Sequence, residues 1–419
     1  MLKKIPINEL RLGMHLHELC GAWLEHPFWK TRFVLTDATD LEKLGLSGIQ
    51  ECWIDCAKGL DVLTTAPIQT AAAPPVFPAP AIAEALAPTA AGPSELPTLC
   101  EEVRQAALLV NRSREAVKSL FSEARMGHAL NAEKCMPLVA DIAASVWRNP
   151  GALVSLARLK THDNYSYMHS VAVCALMITL SRQLGHDDAQ ARDAGMAGLL
   201  HDMGKAVMPL AVLNKPGKLS GDEYAVMKTH PVLGHKMLSE GHGTSAVVLD
   251  VCLHHHERVD GNGYPHGLSG EALSLHARMG AICDVYDAIT SNRPYKAGWD
   301  PAESISLMSE WSKKGQFDAA LFKSFVLSLG IYPNGSLVRL KSDRLGVVME
   351  QNPQSLVNPT VKLFYATRTQ MPMTPELLDL NRPGCKDSIV GRESNRHWKF
   401  THLEELWAGR EVLQSMGRA

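Results

Sequence analysis

The chain has 419 residues, and at about 150 residues per domain a single domain is disfavoured. Apolar residues supply 46% and charged residues 21%, which argues against wholesale disorder, collagen and coiled-coil rods. Lys and Arg number 42 against 44 Asp and Glu, a formal charge of −2, so no global field draws the chain to nucleic acid or anionic lipid.

Met1–Leu10 offers Lys3 and Lys4 but no apolar stretch before Asn8, Glu9 and Arg11, so it does not read as a secretion signal. Nine cysteines, odd in number and irregular in spacing, fit reduced thiols better than a disulfide framework. Together these features predict a cytoplasmic protein. Residues 1–65 carry apolar and aromatic runs (Trp23-Leu24, Phe33–Leu35, Ile49–Ile54) and a helix-like Asp40–Leu46, and read as a small α+β module, a regulatory one by position. From 66 to 97, 19 of 32 residues are Ala or Pro, the composition of a semi-stiff linker rather than a packed unit.

Residues 98–332 place apolar side chains at helical spacing, as in Val171, Val173, Leu176, Met177 and Leu180, and predict a helical region. The run Val171–Leu180 is far short of the ~20 residues that span a bilayer, so no membrane span is expected. From 333 to 419 the pattern turns to β-prone runs, Ser336–Leu340, Leu345–Met349 and Thr360–Tyr365, separated by Asn-Pro pairs. A short C-terminal β-hairpin extension and tail follow from that alternation. The fold class is therefore mainly α, with β-rich additions at each end.

Histidine is distributed unevenly: 12 of 18 fall between His162 and His276. Imidazole is the commonest nitrogen ligand for transition metals and carboxylates supply bridging oxygens, so this window is a candidate metal site. Adjacent helical residues point about 100° apart, so His201 and Asp202 can reach neighbouring metals, although for the pair alone a polar helix cap is the plainer reading. His169 opens an apolar helix, where a buried hydrogen-bonded ring is the plainer reading, and His230 before Pro231 suits a helix start. In His254-His255-His256-Glu257 three adjacent imidazoles repel one another when charged, and a cation relieves this; one of the three is expected to lie outside the site. Asp284 and Asp287 share one face of an apolar helix and need partners there; Asp284 is the better ligand, and Asp287 suits the support of a histidine or the backbone. Cys252 and Cys283 sit in apolar stretches as core filler.

Taken in order, His169, His201-Asp202-Met-Gly-Lys205, His230-Pro231, the segment His255–Pro265 with its Gly263-Tyr264-Pro265, and Asp284–Lys296 resemble the HD-GYP phosphodiesterases over roughly residues 160–330. Residues 1–65 resemble, more weakly, the small domain of unknown function that often precedes such domains. The resemblance implies an all-helical HD fold that hydrolyses cyclic di-GMP to linear pGpG or GMP. It also implies partners such as diguanylate cyclases of the GGDEF type, and biofilm and motility as regulated behaviours.

Carried over residue by residue, the resemblance implies one metal held by His169, His201, Asp202 and Asp284, and a second by His230, His255 and His256, with Asp202 bridging. Some members carry a Glu one turn before the first His and hold a third metal; Tyr165 stands there in this chain, so two divalent metals are expected. A His and carboxylate set without thiolate suits Fe or Mn, with Zn, Ni and Co chemically admissible. Metals of this kind activate water to hydroxide and neutralise phosphate. Asp202 and Lys205 are then the catalytic pair, with Lys205, Arg293 and Lys296 on phosphate and Gly263, Tyr264 and Pro265 shaping the nucleotide pocket. A non-catalytic cyclic di-GMP sensor, or a phosphohydrolase for another cyclic dinucleotide, is the competing expectation.

Overall fold

The computed structural model describes residues 2–20, 33–35, 51–60, 99–159, 165–215, 217–291, 298–352 and 354–417. The chain divides into two compact units, Met1–Pro75 and Val76–Ala419. The helix expected over Asp40–Leu46 and the 66–97 linker lie outside the described residues.

The first unit is an antiparallel sheet of β1 (Leu2–Pro6), β2 (His15–Cys20), β3 (Phe33–Val34) and β4 (Glu51–Asp55), in the order β1-β4-β2-β3. Side chains alternate across a strand, so Ile5, Leu16, Cys52 and Ile54 converge on one face, where Leu10, Met14 and Leu35 close a small core.

In the second unit α1 (Leu99–Arg125), α2 (Met136–Arg148) and α3 (Pro150–Ala157) lead to α4 (Tyr165–Gln183), which runs through the middle of the helical core. Its segment Val171–Leu180 is buried on every side, as expected for an apolar helix at the centre of a bundle. α5 (Asp188–Leu200) packs on it very closely: a Cβ at Gly198 would sit 2.8 Å from the Val173 carbonyl oxygen. A 3-10 turn (Met203–Val207), α6 (Leu210–Leu213), α7 (Gly221–Met227), α8 (His230–Ser239) and α9 (Ala246–His254) follow. α10 (Leu275–Thr290), α11 (Pro301–Lys313) and α12 (Ala319–Leu329) complete the helical region.

Helix starts are set by local chemistry. Asp187 with Gln190 and Ser220 with Glu223 form reciprocal capping boxes for α5 and α7. Ser245 and Ser274 cap α9 and α10 by accepting from the backbone N–H groups of Val248 and Ala277. These caps fix where each helix begins, and His201 and His255 fall at the opposite, C-terminal ends of α5 and α9.

The hairpin expected after Gly335 is part of a larger antiparallel sheet of β5 (Leu337–Leu340), β6 (Arg344–Asn352), β7 (Ser355–Ala366), β8 (Met371–Asp379) and β9 (Ile389–Arg392), ordered β8-β7-β6-β5-β9. It has its own core of Val338, Leu340, Val348, Val361, Leu363 and Leu378. Asp300 couples the sheet to the helices: Oδ1 accepts from the N–H groups of Ala302 and Glu303 at the start of α11, and Oδ2 accepts from Leu337 N at 3.1 Å. Three short helices, α13 (Asn395–Trp398), α14 (Leu403–Ala408) and α15 (Arg410–Ser415), end the described chain. No helix among the described residues is long and apolar enough to cross a membrane.

Candidate metal centre

Five elements meet around Asp202. His169 comes from the first turns of α4, His201 and Asp202 from the end of α5, His230 from the first residue of α8, His255 and His256 from the end of α9, and Asp284 from α10. Gly204 makes the meeting of the second and third elements feasible, because a Cβ there would lie 1.9 Å from the His230 carbonyl oxygen. The 3-10 turn thus packs backbone to backbone against the start of α8.

All these side chains are buried except His256, which is partly exposed. Donor atoms of His169, His201 and Asp284 lie within 4.8 Å of one another, and so do those of Asp202, His230, His255 and His256. Asp202 faces both sets: Oδ2 is 3.5 Å from His169 Nε2 and 3.4 Å from His201 Nε2, while Oδ1 is 3.2 Å from His230 Nε2 and 3.7 Å from His255 Nε2. Asp284 faces both sets as well, with Oδ1 2.9 Å from His169 Nε2 and Oδ2 3.6 Å from His256 Nδ1. That second role was not expressed in the sequence, where spacing places Asp284 on a face without saying how many partners it meets.

The outer ring nitrogens decide what the inner ones can do. His201 Nδ1 lies 2.8 Å from the Gly198 carbonyl, His230 Nδ1 2.8 Å from that of Met227, and His255 Nδ1 3.0 Å from that of Val251. His169 Nδ1 lies 2.6 Å from Asp287 Oδ2. Carbonyls and carboxylates only accept, so each Nδ1 must donate its proton outward. In the neutral ring Nε2 is then a bare lone pair aimed inward. Two such pairs face each other, His169 with His201 and His230 with His255, each at 3.3 Å between Nε2 atoms. Asp202 Oδ1, which His230 Nε2 approaches, accepts no hydrogen bond. Lone pairs confronting lone pairs at these distances need a cation between them, so the donor set fits divalent metal.

Protonation preferences agree. Burial holds His255 well below its ordinary value and brings His256 down to about 3, and it lowers His230 despite the pull of Asp202. Burial also opposes the charged form of His169, but hydrogen bonds to Asp284 and Asp287 prevail and raise it. Asp202 and Asp284 stay well below the carboxylate range: burial acts against them, but Lys205 and the histidines outweigh it for Asp202, as do His169 and its neighbours for Asp284. Lys205 Nζ lies 2.5 Å from Asp202 Oδ2.

The loop after α9 wraps the same centre. Gly261 has φ +77°, and a Cβ on Gly263 would lie 2.4 Å from Glu257 Cα, so both glycines are required by the path. That path stacks Tyr264 on His256, with ring centroids 4.7 Å apart and planes inclined by 27°. Glu257 closes the loop from beneath: its buried carboxylate accepts from the N–H groups of His266, Gly267 and Leu268 at 2.6, 3.0 and 3.2 Å. Sequence reading missed this anchor, since nothing in a lone Glu names three backbone donors nine to eleven residues on.

Of the three consecutive histidines, His254 is the one turned away, its Nδ1 2.8 Å from Asp250 Oδ1. Asp287 contacts His169 rather than joining either set, and Ser291 Oγ donates to its other oxygen at 3.1 Å. Cys252 and Cys283 are buried, and burial pushes both thiols up. Position 165 begins α4 one turn before His169. Arg293 and Lys296 lie outside the described residues.

A domain of unknown function, DUF3391, matches residues 2–135, and an HD domain matches residues 138–321. The chain is 52% identical over 411 residues to the cyclic di-GMP phosphodiesterase PA4108 of Pseudomonas aeruginosa, covering 98% of this chain and 96% of that one. The chain belongs to the HD-GYP family. Within it, the response regulator RpfG of Xanthomonas campestris, a cyclic di-GMP phosphodiesterase, is 50% identical over 29% of this chain and 32% of its own. The 3'3'-cGAMP-specific phosphodiesterase 1 of Vibrio cholerae is 36% identical over 39% of this chain and 38% of its own. An HD-GYP domain is a metal-dependent phosphohydrolase, and the buried histidine and aspartate cluster is this chain's place for divalent metal.

Proposed function

We propose that this protein hydrolyses cyclic di-GMP to linear pGpG and GMP, with His169, His201 and Asp284 holding one divalent metal, His230, His255 and His256 a second, and Asp202 between them. One observation carries the reading: inward Nε2 lone pairs, fixed by outward Nδ1 donors, confront one another and two carboxylates in a buried cleft. The near full-length likeness to a cyclic di-GMP phosphodiesterase supplies the substrate. Bound divalent metals supply a hydroxide nucleophile at neutral pH and neutralise the phosphodiester.

The protein's own groups supply the rest. Asp202 keeps Lys205 Nζ at the centre, 2.5 Å from its Oδ2. Lys205 stabilises charge on the equatorial phosphate oxygens and donates a proton toward the leaving 3' oxygen. Gly263, Tyr264 and Pro265 wall the nucleotide pocket through the Tyr264 stack on His256, and Arg293 and Lys296 serve as the phosphate clamp. Nitrogen and oxygen ligands without thiolate favour Fe or Mn.

Residues 1–65 are the regulatory input, 66–97 the spacer, 98–332 the helical region with its catalytic core at about 160–330, and 333–419 an extension, acting in the cytoplasm beside cyclases of the GGDEF type. The Vibrio relative named for 3'3'-cGAMP is similar over 39% of this chain, so a mixed cyclic dinucleotide is the second candidate substrate. Product analysis with both dinucleotides, on protein loaded anaerobically with Fe or Mn, tests the reading. Conversion of cyclic di-GMP to pGpG with two metals per chain is expected. Binding without hydrolysis under every metal and redox state refutes it.

A further inference from the structure

We propose that Lys228 binds the second phosphate of the cyclic dinucleotide, the one not being cut, and thereby favours cyclic dinucleotides over single phosphodiesters; this rests on the phosphodiesterase reading above. Lys228 caps the end of α7, two residues before His230. Its Nζ lies 5.2 Å from the centroid of the Tyr224 ring and 5.9 Å from that of Tyr264. Tyr264 is the ring stacked on His256, so this ammonium stands a single aromatic ring away from the metal-binding imidazoles.

Neighbouring cations are already matched by carboxylates: Lys205 by Asp202, Lys215 by Glu223 and Arg258 by Asp260. Lys228 is half-buried, and among the described residues it has aromatic faces but no carboxylate partner. Aromatic faces return less to a cation than an anion in hydrogen-bond contact returns to a partly desolvated one. The position is therefore a cation awaiting an anion beside the ring that stacks on His256.

A cyclic dinucleotide brings one. It carries two phosphodiester anions on one small ring, and when the first occupies the imidazole centre, ring closure keeps the second close by. A substrate with a single phosphodiester leaves Lys228 without a partner, so the residue contributes to one class and not to the other.

The test compares wild type, Lys228→Met and Lys228→Arg on cyclic di-GMP and on bis(p-nitrophenyl) phosphate, which has one phosphate. Metal content and calorimetric binding of cyclic di-GMP are measured on each. Methionine keeps an unbranched stem over the rings and removes the charge. KM and Kd for cyclic di-GMP are expected to rise about tenfold in the Met variant with kcat little moved, so that the ratio of kcat/KM for the two substrates falls about tenfold. Arginine restores most of the ratio, and added salt weakens wild-type binding more than that of the Met variant. Equal losses on both substrates, a drop in metal content, or a wild-type Kd in the Met variant would overturn the proposal. Wild-type binding without turnover, still weakened tenfold by Lys228→Met, defeats the enzymatic reading and keeps Lys228; no binding by wild type defeats both.

Discussion

Asp287→Asn isolates the contribution of one supporting contact to metal affinity. Asp287 Oδ2 lies 2.6 Å from His169 Nδ1, Ser291 Oγ donates to Oδ1 at 3.1 Å, and both His169 and Asp287 are buried. An Asn can place its carbonyl oxygen on Nδ1 and turn its NH2 toward Ser291, whose hydroxyl can rotate to accept. Geometry is kept and only charge is lost. A hydrogen bond to a charged group contributes about 1.5–3 kcal/mol and a neutral one about 0.5–1.5, so the change weakens the His169 support by about 1–1.5 kcal/mol, close to tenfold in affinity. Asp287→Ala removes the acceptor altogether and frees the ring to rotate or change tautomer, which puts it toward the hundredfold end for such supporting residues. Metal affinity is read by competition with a chromogenic chelator, with metal content checked by mass spectrometry. Wild-type affinity in Asp287→Asn, or equal losses in the Asn and Ala variants, would refute the claim that Asp287 fixes the ring through charge and acceptor geometry.

Asp202→Ala is expected to abolish both hydrolysis and metal retention, because it strips the carboxylate that faces both histidine sets; protein that keeps its metals would show the bridge is misplaced. Gly204→Ala should destabilise by about 3 kcal/mol or more and release metal, since the new Cβ meets the His230 carbonyl, a backbone atom unable to give way; thermal unfolding and metal content measure it. Asp300 is pushed by burial up to about 6, although backbone N–H groups resist. The folded state therefore binds more protons than the unfolded between about pH 4 and 6, and stability from this group falls as pH rises through that window. Asn cannot ionise, so the Tm of Asp300→Asn relative to wild type should improve from pH 4 to pH 6.5; a flat or falling difference would contradict the shift.

The clustered positions were legible as candidates because histidines and aspartates inside apolar helices are costly without a partner, which makes them conspicuous in sequence. His169, His230 and Asp284 each had a bland alternative as isolated residues, and it was their convergence around Asp202 that sequence spacing could not measure. The demand for glycine at Gly204 and Gly263 is tertiary: their neighbours are the carbonyl of a residue 26 positions on and the backbone at Glu257. In the C-terminal sheet β5, β6 and β7 announce themselves by alternation. β8 does not, because Pro372 and Pro375 interrupt its pattern; at the sheet edge they are tolerated, with one side free of ladder partners among the described residues. β9 is short, and its pairing with β5 is a return across nearly fifty residues that no local pattern encodes.

Charge balance explains why these side chains belong together at all. Asp202, Asp284 and Asp287 are three buried carboxylates, and the lysine among them, Lys205, matches one. His169, raised by Asp284 and Asp287, can take a proton for a second. Its Nδ1 proton already goes to Asp287, so that added proton would sit on Nε2, the atom that faces His201, Asp202 and Asp284. Proton and metal therefore compete for the same lone pair, and acid should displace metal from the His169 set before the His230 set, whose rings burial keeps neutral. Stepwise acidification with metal counted at each step checks this order: loss of both metals together, or release that follows the Asp202 carboxylate instead, would show that His169 does not govern the first site.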